Sequence, residues 1–311
     1  MEQTGTPTSS SKSVGKRQKS EQLKQWAAFL TLGCFAWGTS YLWIKIALEE
    51  IGPFMLVALR VTFGTIVIWL LVFLFRIPLP RSRTAIGSGA LLGLTNMAIP
   101  FILISWGQTH ISSGLAGILT ATTPLFTIVI AHLLLADEQI TLRKLIGLVV
   151  GFGGIVLLFS RDLGTLGFSR NIWAQLAVVG ATLSYSVSAV YTKRKLSDQH
   201  PITITAISLT VAMVLMWILI PIVEESVTWP QLPLTWAAAA WLGIIGTALA
   251  YPLLYFLFHA WGATRTTLVT YVTPNVAVTL GVVILGEMVE WELVLGGLLI
   301  IVGVGIINWR R

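Results

Sequence analysis

Charge is scarce in this 311-residue sequence. Asp, Glu, Lys and Arg make up 11% of positions, against roughly 25% in soluble domains. No Asp or Glu stands at the centre of any apolar run, so a carboxylate proton relay at membrane depth is not visible. Cysteine is almost absent too. Cys34 is alone and lies inside an apolar run, which excludes an intrachain disulfide and a cysteine zinc site and reads as a small buried hydrophobe. The motifs HExxH and GxSxG are missing, and His110, His132 and His259 stand near run ends. The nearest approach to a nucleophile–base pair is His110 with Ser113, three residues apart. No metal and no cofactor is expected, and an intramembrane enzyme is the weakest functional reading.

What is abundant is apolar surface. The hydrophobic set covers 55% of the chain, and the mean hydropathy is +0.83. A soluble fold of this length could not hide that surface, but a bilayer can, since each spanning helix takes about 20 largely apolar residues. The runs are 26–46, 53–75, 85–106, 112–135, 145–159, 173–191, 202–223, 235–258, 266–285 and 293–309. Each can cross the hydrocarbon core as a helix. Open strands would leave unsatisfied edges in lipid, and a β-barrel would need alternating segments rather than continuous runs. The expected fold is therefore an all-α integral membrane protein of ten transmembrane helices. The polar, Ser/Thr-rich stretch 1–24 reads as a disordered cytoplasmic tail, and the first run as a retained helix rather than a cleaved signal peptide.

The net charge of +7 raises a nucleic-acid partner, but the basic residues sit in short clusters between runs, where topology places them. With the N-terminus inside, the cytoplasmic segments hold the five basic residues of the tail. They also hold Arg76, Arg81 and Arg83, then Arg143 and Lys144, then Lys193, Arg194 and Lys195, then Arg265, Arg310 and Arg311. Only Lys45, Arg161 and Arg170 fall outside, and Arg60 lies within the second run. That asymmetry sets both termini on the cytoplasmic side.

The chain also repeats itself. Thr120, Thr123 and Pro124 recur as Thr270, Thr273 and Pro274 at an offset of 150. Glu138 and Glu287, and the pairs Gly147/Gly154 and Gly296/Gly303, follow at 149, while Trp37 and Lys45 align with Tyr185 and Lys193 at 148. Two units of five helices result, 25–160 and 171–309. Five is odd, so the second unit is inverted. Inverted repeats form alternating-access transporters whose solute site lies near the midplane at the repeat interface.

These residues resemble the EamA-like branch of the drug/metabolite transporter superfamily. The resemblance is carried by Phe35-Ala36-Trp37-Gly38-Thr39-Ser40, by Pro53-Phe54 through Ala58-Leu59-Arg60, and by Ile111-Ser112-Ser113-Gly114-Leu115-Ala116 running on to Thr123-Pro124, Glu138 and Gly147. An echo follows in Gly262-Ala263-Thr264, Thr273-Pro274, Glu287 and Gly296. It covers residues 26–309 and implies ten helices with export or exchange of small metabolites, often amino acids, across the cytoplasmic membrane. The second half departs from it in the seventh run, where no arginine matches Arg60.

Proline within a helix frees the carbonyl four residues earlier. Pro124 frees that of Thr120, Pro274 that of Thr270, Pro100 that of Asn96 and Pro252 that of Ala248, beside Tyr251. Such carbonyls are usable where they line a cavity, and the expected cavity lies around the kinks of the third, fourth, eighth and ninth helices. Asn96, Thr120, Thr123, Thr270 and Asn275 are its polar candidates, against the alternative that each threonine bonds back to its own helix. Trp37, Tyr185 and Tyr251, near run centres, are its aromatic candidates; Trp26, Trp106, Trp173 and Trp309 suit the interfacial belt instead. Arg60 lies seven residues after Pro53, about 10 Å along the helix. It either snorkels outward, pairs with Glu49 or Glu50, or meets an anionic solute. Lys45, Glu138 and Glu287, at helix ends, read as capping, packing or gating residues.

The functional expectation is an alternating-access transporter in the lipid bilayer, an exporter or exchanger of small polar or aromatic metabolites such as amino acids. A lipid-linked flippase and a channel are the alternatives. The sequence does not determine an oligomeric state.

Overall fold

In a computed structural model the described residues are 9–80, 82–135, 139–163, 170–196, 199–224, 227–254, 256–257, 260 and 269–308, with 9–19, 161–163, 170 and 270 described by backbone only. Among them all regular structure is helical. The helices are α1 Ser20–Ala47, α2 Pro53–Leu74, α3 Arg83–Gln108, α4 Ser113–Leu134, α5 Leu142–Ser160, α6 Asn171–Lys195, α7 Pro201–Val223, α8 Pro233–Leu254, α9 Tyr271–Leu285 and α10 Trp291–Asn308. Among the described residues nine are long and apolar enough to cross a membrane, and the described part of α9 is apolar but shorter. The helical backbone leading into α1 begins at Ser9, inside the stretch whose composition reads as a disordered tail. An apolar helix already formed extends into polar residues without a second nucleation step.

Sequence punctuation sets the helix starts. Pro53, Pro201 and Pro233 each occupy a first-turn position, where the missing N–H costs nothing. Successive helices alternate in direction, so loops gather at two ends. One carries Lys45, Gly52, Ile111, Glu224 and Glu287; the other carries Pro78, Lys193 and Gln199. They are called here the Lys45 end and the Lys193 end.

The two halves pack as inverted images. Trp69 in α2 donates its indole N–H to Thr210 in α7 at 2.9 Å, and Trp217 in α7 donates to Thr62 in α2 at 2.9 Å. Residues 62 and 69 and their counterparts 210 and 217 share one offset, 148, and the seam runs antiparallel. α5 and α10 meet the same way. A Cβ on Gly147 would stand 2.6 Å from the carbonyl oxygen of Gly303, and one on Gly154 2.6 Å from that of Gly296. Without side chains at these positions the backbones approach closely, which is how helices associate where lipid removes the hydrophobic drive. Large apolar residues such as Phe73, Leu133, Val149 and Val283 remain exposed, as a lipid-facing surface requires.

Three helices are interrupted by wide π-helical turns: Thr31–Gly38 in α1, Gly93–Ala98 in α3 and Ile244–Leu249 in α8. The last two precede Pro100 and Pro252. In α3 the Ile99 N–H bonds to the Leu94 carbonyl, five residues back. A proline two residues after the turn removes the next regular bond, and the widened turn absorbs the mismatch.

Candidate functional site

The π turns of α3 and α8 deliver the polar groups of the interior. Thr247, in the α8 turn, accepts from Arg60 Nε at 3.1 Å and donates to the Leu242 carbonyl at 2.8 Å. Arg60 is 7% exposed, and its guanidinium lies over the Phe101 ring at 3.7 Å from the centroid. Tyr41, Tyr185 and Tyr251 lie within electrostatic reach of it. Asn96, in the α3 turn, donates from Nδ2 to the Tyr251 hydroxyl at 2.8 Å, and that hydroxyl points to Met97 Sδ at 3.7 Å. Tyr41 shares a hydrogen bond with Thr120, joining α1 to α4.

A cavity of about 240 Å³ opens from the Lys193 end. Asn96, Met97 and Tyr251 line its deep part; Thr192, Lys193 and Gln199 belong to the loop end. The remaining wall comes mostly from the first turns of α7, including Thr205 and Ser208. Its lining comes from α3, α6, α7 and α8 and the loop between α6 and α7.

The Lys45 end is held together by carboxylates set on helix N-termini. Glu287 accepts from Ser113 N at 2.7 Å, Ser113 Oγ at 2.8 Å and Gly114 N at 3.2 Å, at the start of α4. Glu224 accepts from Phe54 N at 3.1 Å and Met55 N at 3.3 Å, at the start of α2. Glu50 accepts from Gln231 N, from Leu232 N at 3.1 Å and from the Thr235 hydroxyl, at the start of α8. These contacts hold the Glu50 carboxyl below the ordinary carboxylate range, the Thr235 hydroxyl contributing most. Helix N-termini present unpaired N–H groups and a positive dipole end, so each carboxylate is matched twice over. Lys45 serves the opposite pole, donating to the carbonyls of Gln108 at 2.7 Å and Ile111 at 3.0 Å where α3 ends.

The structure gathers some of the sequence candidates and separates others. Asn96 and Tyr251 meet at the cavity, and Tyr185 stands near Arg60. Thr120 is reached through Tyr41. Thr123 does not present a free carbonyl–hydroxyl pair to solute, because its hydroxyl donates to the Thr120 carbonyl that Pro124 frees, at 2.7 Å. Its own carbonyl accepts from Ser186 at 3.0 Å. Back-bonding of this kind is the ordinary fate of threonine beside a kink. Asn275 is exposed and donates to the Tyr271 carbonyl of its own helix at 2.6 Å. Trp37 packs against a separate apolar cluster that includes Phe29, Leu32, Ala250, Leu257 and Val269. The side chain of Thr270 and all of Glu138 lie outside the described residues. Pro274 lies inside the continuous helix Val269–Leu285, whereas Ala121 and Thr122 break α4 just ahead of Pro124. Arg60 does not reach Glu49 or Glu50.

Tyr41, Phe101 and Thr247 were not among the candidates. Thr247 carried a usable signal, since it follows Thr95 by 152 residues, as Pro252 follows Pro100.

The model of the EamA-like transporter family matches residues 24–160 and 172–309. The chain belongs to this family. The EamA-like transporter is similar along most of its length to proteins named as transporters. The uncharacterized inner membrane transporter YedA of Escherichia coli (strain K12) is 29% identical over 261 residues, covering 82% of each chain. The uncharacterized transporter YoaV of Bacillus subtilis (strain 168) is 25% identical, with 86% of this chain and 91% of its own covered. A probable terminal-alkyne amino-acid exporter of Streptantibioticus cattleyicolor is 25% identical, with 92% and 93% covered. A solved crystal structure at 21% identity superposes with a TM-score of 0.65 over 93% of this chain and 96% of its own, a likeness of fold. This EamA-like protein is thus a multi-pass membrane transporter built of two repeats, and not an enzyme.

Proposed function

We propose that this transporter is an alternating-access carrier that exports or exchanges small polar or aromatic metabolites, amino acids foremost, across the cell membrane. In this reading all ten helices cross the bilayer, in two inverted five-helix units at 25–160 and 171–309. Both termini lie in the cytoplasm, and the Lys193 end is the cytoplasmic one. The excess of lysine and arginine there supports that orientation. The name of the Streptantibioticus cattleyicolor relative supports the substrate class.

The observation that carries the reading is an asymmetry between ends. The cavity beneath Asn96 and Tyr251 opens at the Lys193 end, while Glu50, Glu224 and Glu287 clamp three helix starts at the Lys45 end. A carrier with inverted halves needs such a one-sided state, because exchanging the conformations of the two halves yields the mirror state. Solute binds between α3, α6, α7 and α8, with Asn96 and Tyr251 as its polar contacts.

The test is counterflow in proteoliposomes preloaded with unlabelled amino acid, with label added outside. A carrier accumulates label transiently and saturably, and Asn96→Ala and Tyr251→Phe weaken that accumulation. Label that merely equilibrates, without overshoot, supports a channel. Movement of a lipid-linked probe without any amino acid counterflow supports a flippase.

A further inference from the structure

Arg60 is a buried cation with its fork largely unused. Its only hydrogen bond runs from Nε to Thr247, so the four N–H groups on its two Nη atoms have no acceptor among the described residues. Phe101 offers the guanidinium a ring face, which attracts the charge but accepts no conventional hydrogen bond. No carboxylate among the described residues lies within ion-pair distance, the single such pair being Lys24 with Glu21. Among the described residues every Asp and Glu stands at or beyond a helix end. A charge buried in a membrane helix without a counter-charge is costly, and one that persists marks a site.

Its position relative to the cavity is fixed by helix geometry. Phe101 lies four residues beyond Met97 in α3, and Thr247 four residues before Tyr251 in α8. Met97 and Tyr251 are cavity-lining residues. Both contacts of Arg60 therefore lie about one helical turn, roughly 5–6 Å, deeper than the cavity's deep part.

We infer that Arg60 is the counter-charge for the carboxylate of the transported solute. The inference rests on the proposed carrier function and narrows its substrate class to small monocarboxylates. A planar guanidinium fork matches a carboxylate with two parallel N–H···O bonds. One buried cation balances one negative charge, so a dianion such as a phosphate monoester is left half-compensated. Lys193 cannot supply the second charge at this depth, because it belongs to the loop end of the cavity. A solute that brings its own anion completes the pair as it arrives. The arriving carboxylate thereby also fills the donors that the chain leaves open.

The test measures equilibrium binding to the purified full chain in detergent, followed by counterflow in proteoliposomes. The probes are the twenty protein amino acids, with the amide and the decarboxylated amine of each acid that binds. Wild type should bind acids about 10–100-fold more tightly than the matching amides, the range set by one or two charge-assisted hydrogen bonds. Arg60→Gln should erase that preference, and Arg60→Lys should keep part of it. Amides bound as tightly as acids by wild type would overturn the inference, and this comparison needs no variant to fold. An acid preference retained in Arg60→Gln would overturn it as well, as would failure of every acid to bind. Equal counterflow of acids and amides leaves the carrier standing and removes the carboxylate site. Arg60-dependent acid binding without counterflow keeps the site and removes the carrier.

Discussion

Trp69 donates to Thr210 across the seam between α2 and α7, and the same bond returns with the helices exchanged, from Trp217 to Thr62. Equal bonds at equivalent positions are the signature of a two-fold relation, here between the halves of one chain. The antiparallel seam is what permits it. Trp69→Phe and Trp217→Phe each remove one half-buried indole bond and keep most of the ring. Each is expected to lower stability by about 0.5–1.7 kcal/mol, the range for interhelical hydrogen bonds in membranes. The two losses should match closely in detergent thermal melts. A large loss from one and none from the other would place the seam off the two-fold.

The α5–α10 seam makes a sharper forecast. On Gly303 a Cβ would stand 2.6 Å from the Gly147 carbonyl oxygen and 2.6 Å from the Gly151 backbone nitrogen. Neither neighbour is a side chain that can turn away. Gly303→Ala should therefore lower the melting temperature markedly. Gly153 lies in the partner helix with nothing within 4 Å of its would-be Cβ, so Gly153→Ala should be neutral or stabilise by about 0.4–1 kcal/mol. Thermal melts of the two variants side by side check the pair.

Glu50 makes closure of the Lys45 end sensitive to acid. Its folded-state carboxyl is depressed below the ordinary value of 4.5, first by the Thr235 hydroxyl and then by the backbone N–H groups of Gln231 and Leu232. A depressed acid contributes stability that is complete above its unfolded value and is lost as pH falls through its folded one. At neutral pH the contact should be intact. Below about pH 4.5 it should weaken progressively, and Glu50→Gln should remove that component. Hydrogen exchange at the amides of Gln231 and Leu232, followed against pH in wild type and variant, reads the effect. A slope unchanged by the substitution would assign it elsewhere.

The fold was largely legible because lipid imposes a simple code. Long apolar runs, clustered lysines and arginines, and recurring Thr-x-x-Thr-Pro and glycine pairs pointed to helices and repeats. The seams were legible only as register: Gly147 and Gly303 carry the pattern, but their contact requires the inverted fold. The site was read less well for three physical reasons. Prolines were weighted as openings, yet at Pro124 the freed Thr120 carbonyl is taken by the next threonine. Equivalent residues of α3 and α8 stand 152 apart rather than 148–150, which hid Thr247 behind Thr95. The carboxylate caps join residues about 170–185 positions apart, so Glu50 and Glu224 look like ordinary loop acids in sequence.

Alternating access itself is tested most directly by two-sided labelling. With Cys34→Ser removing the lone native thiol, Asn96→Cys places one thiol in the deep part of the cavity. Releasing the Lys45 end with Glu287→Ala removes the acceptor of Ser113 and Gly114. If the two ends alternate, labelling by an impermeant maleimide from the Lys45 side should rise in the released protein, and labelling from the Lys193 side should fall with it. Labelling that rises on the Lys45 side while the Lys193 side stays unchanged would mean a pathway open at both ends, and would contradict the carrier.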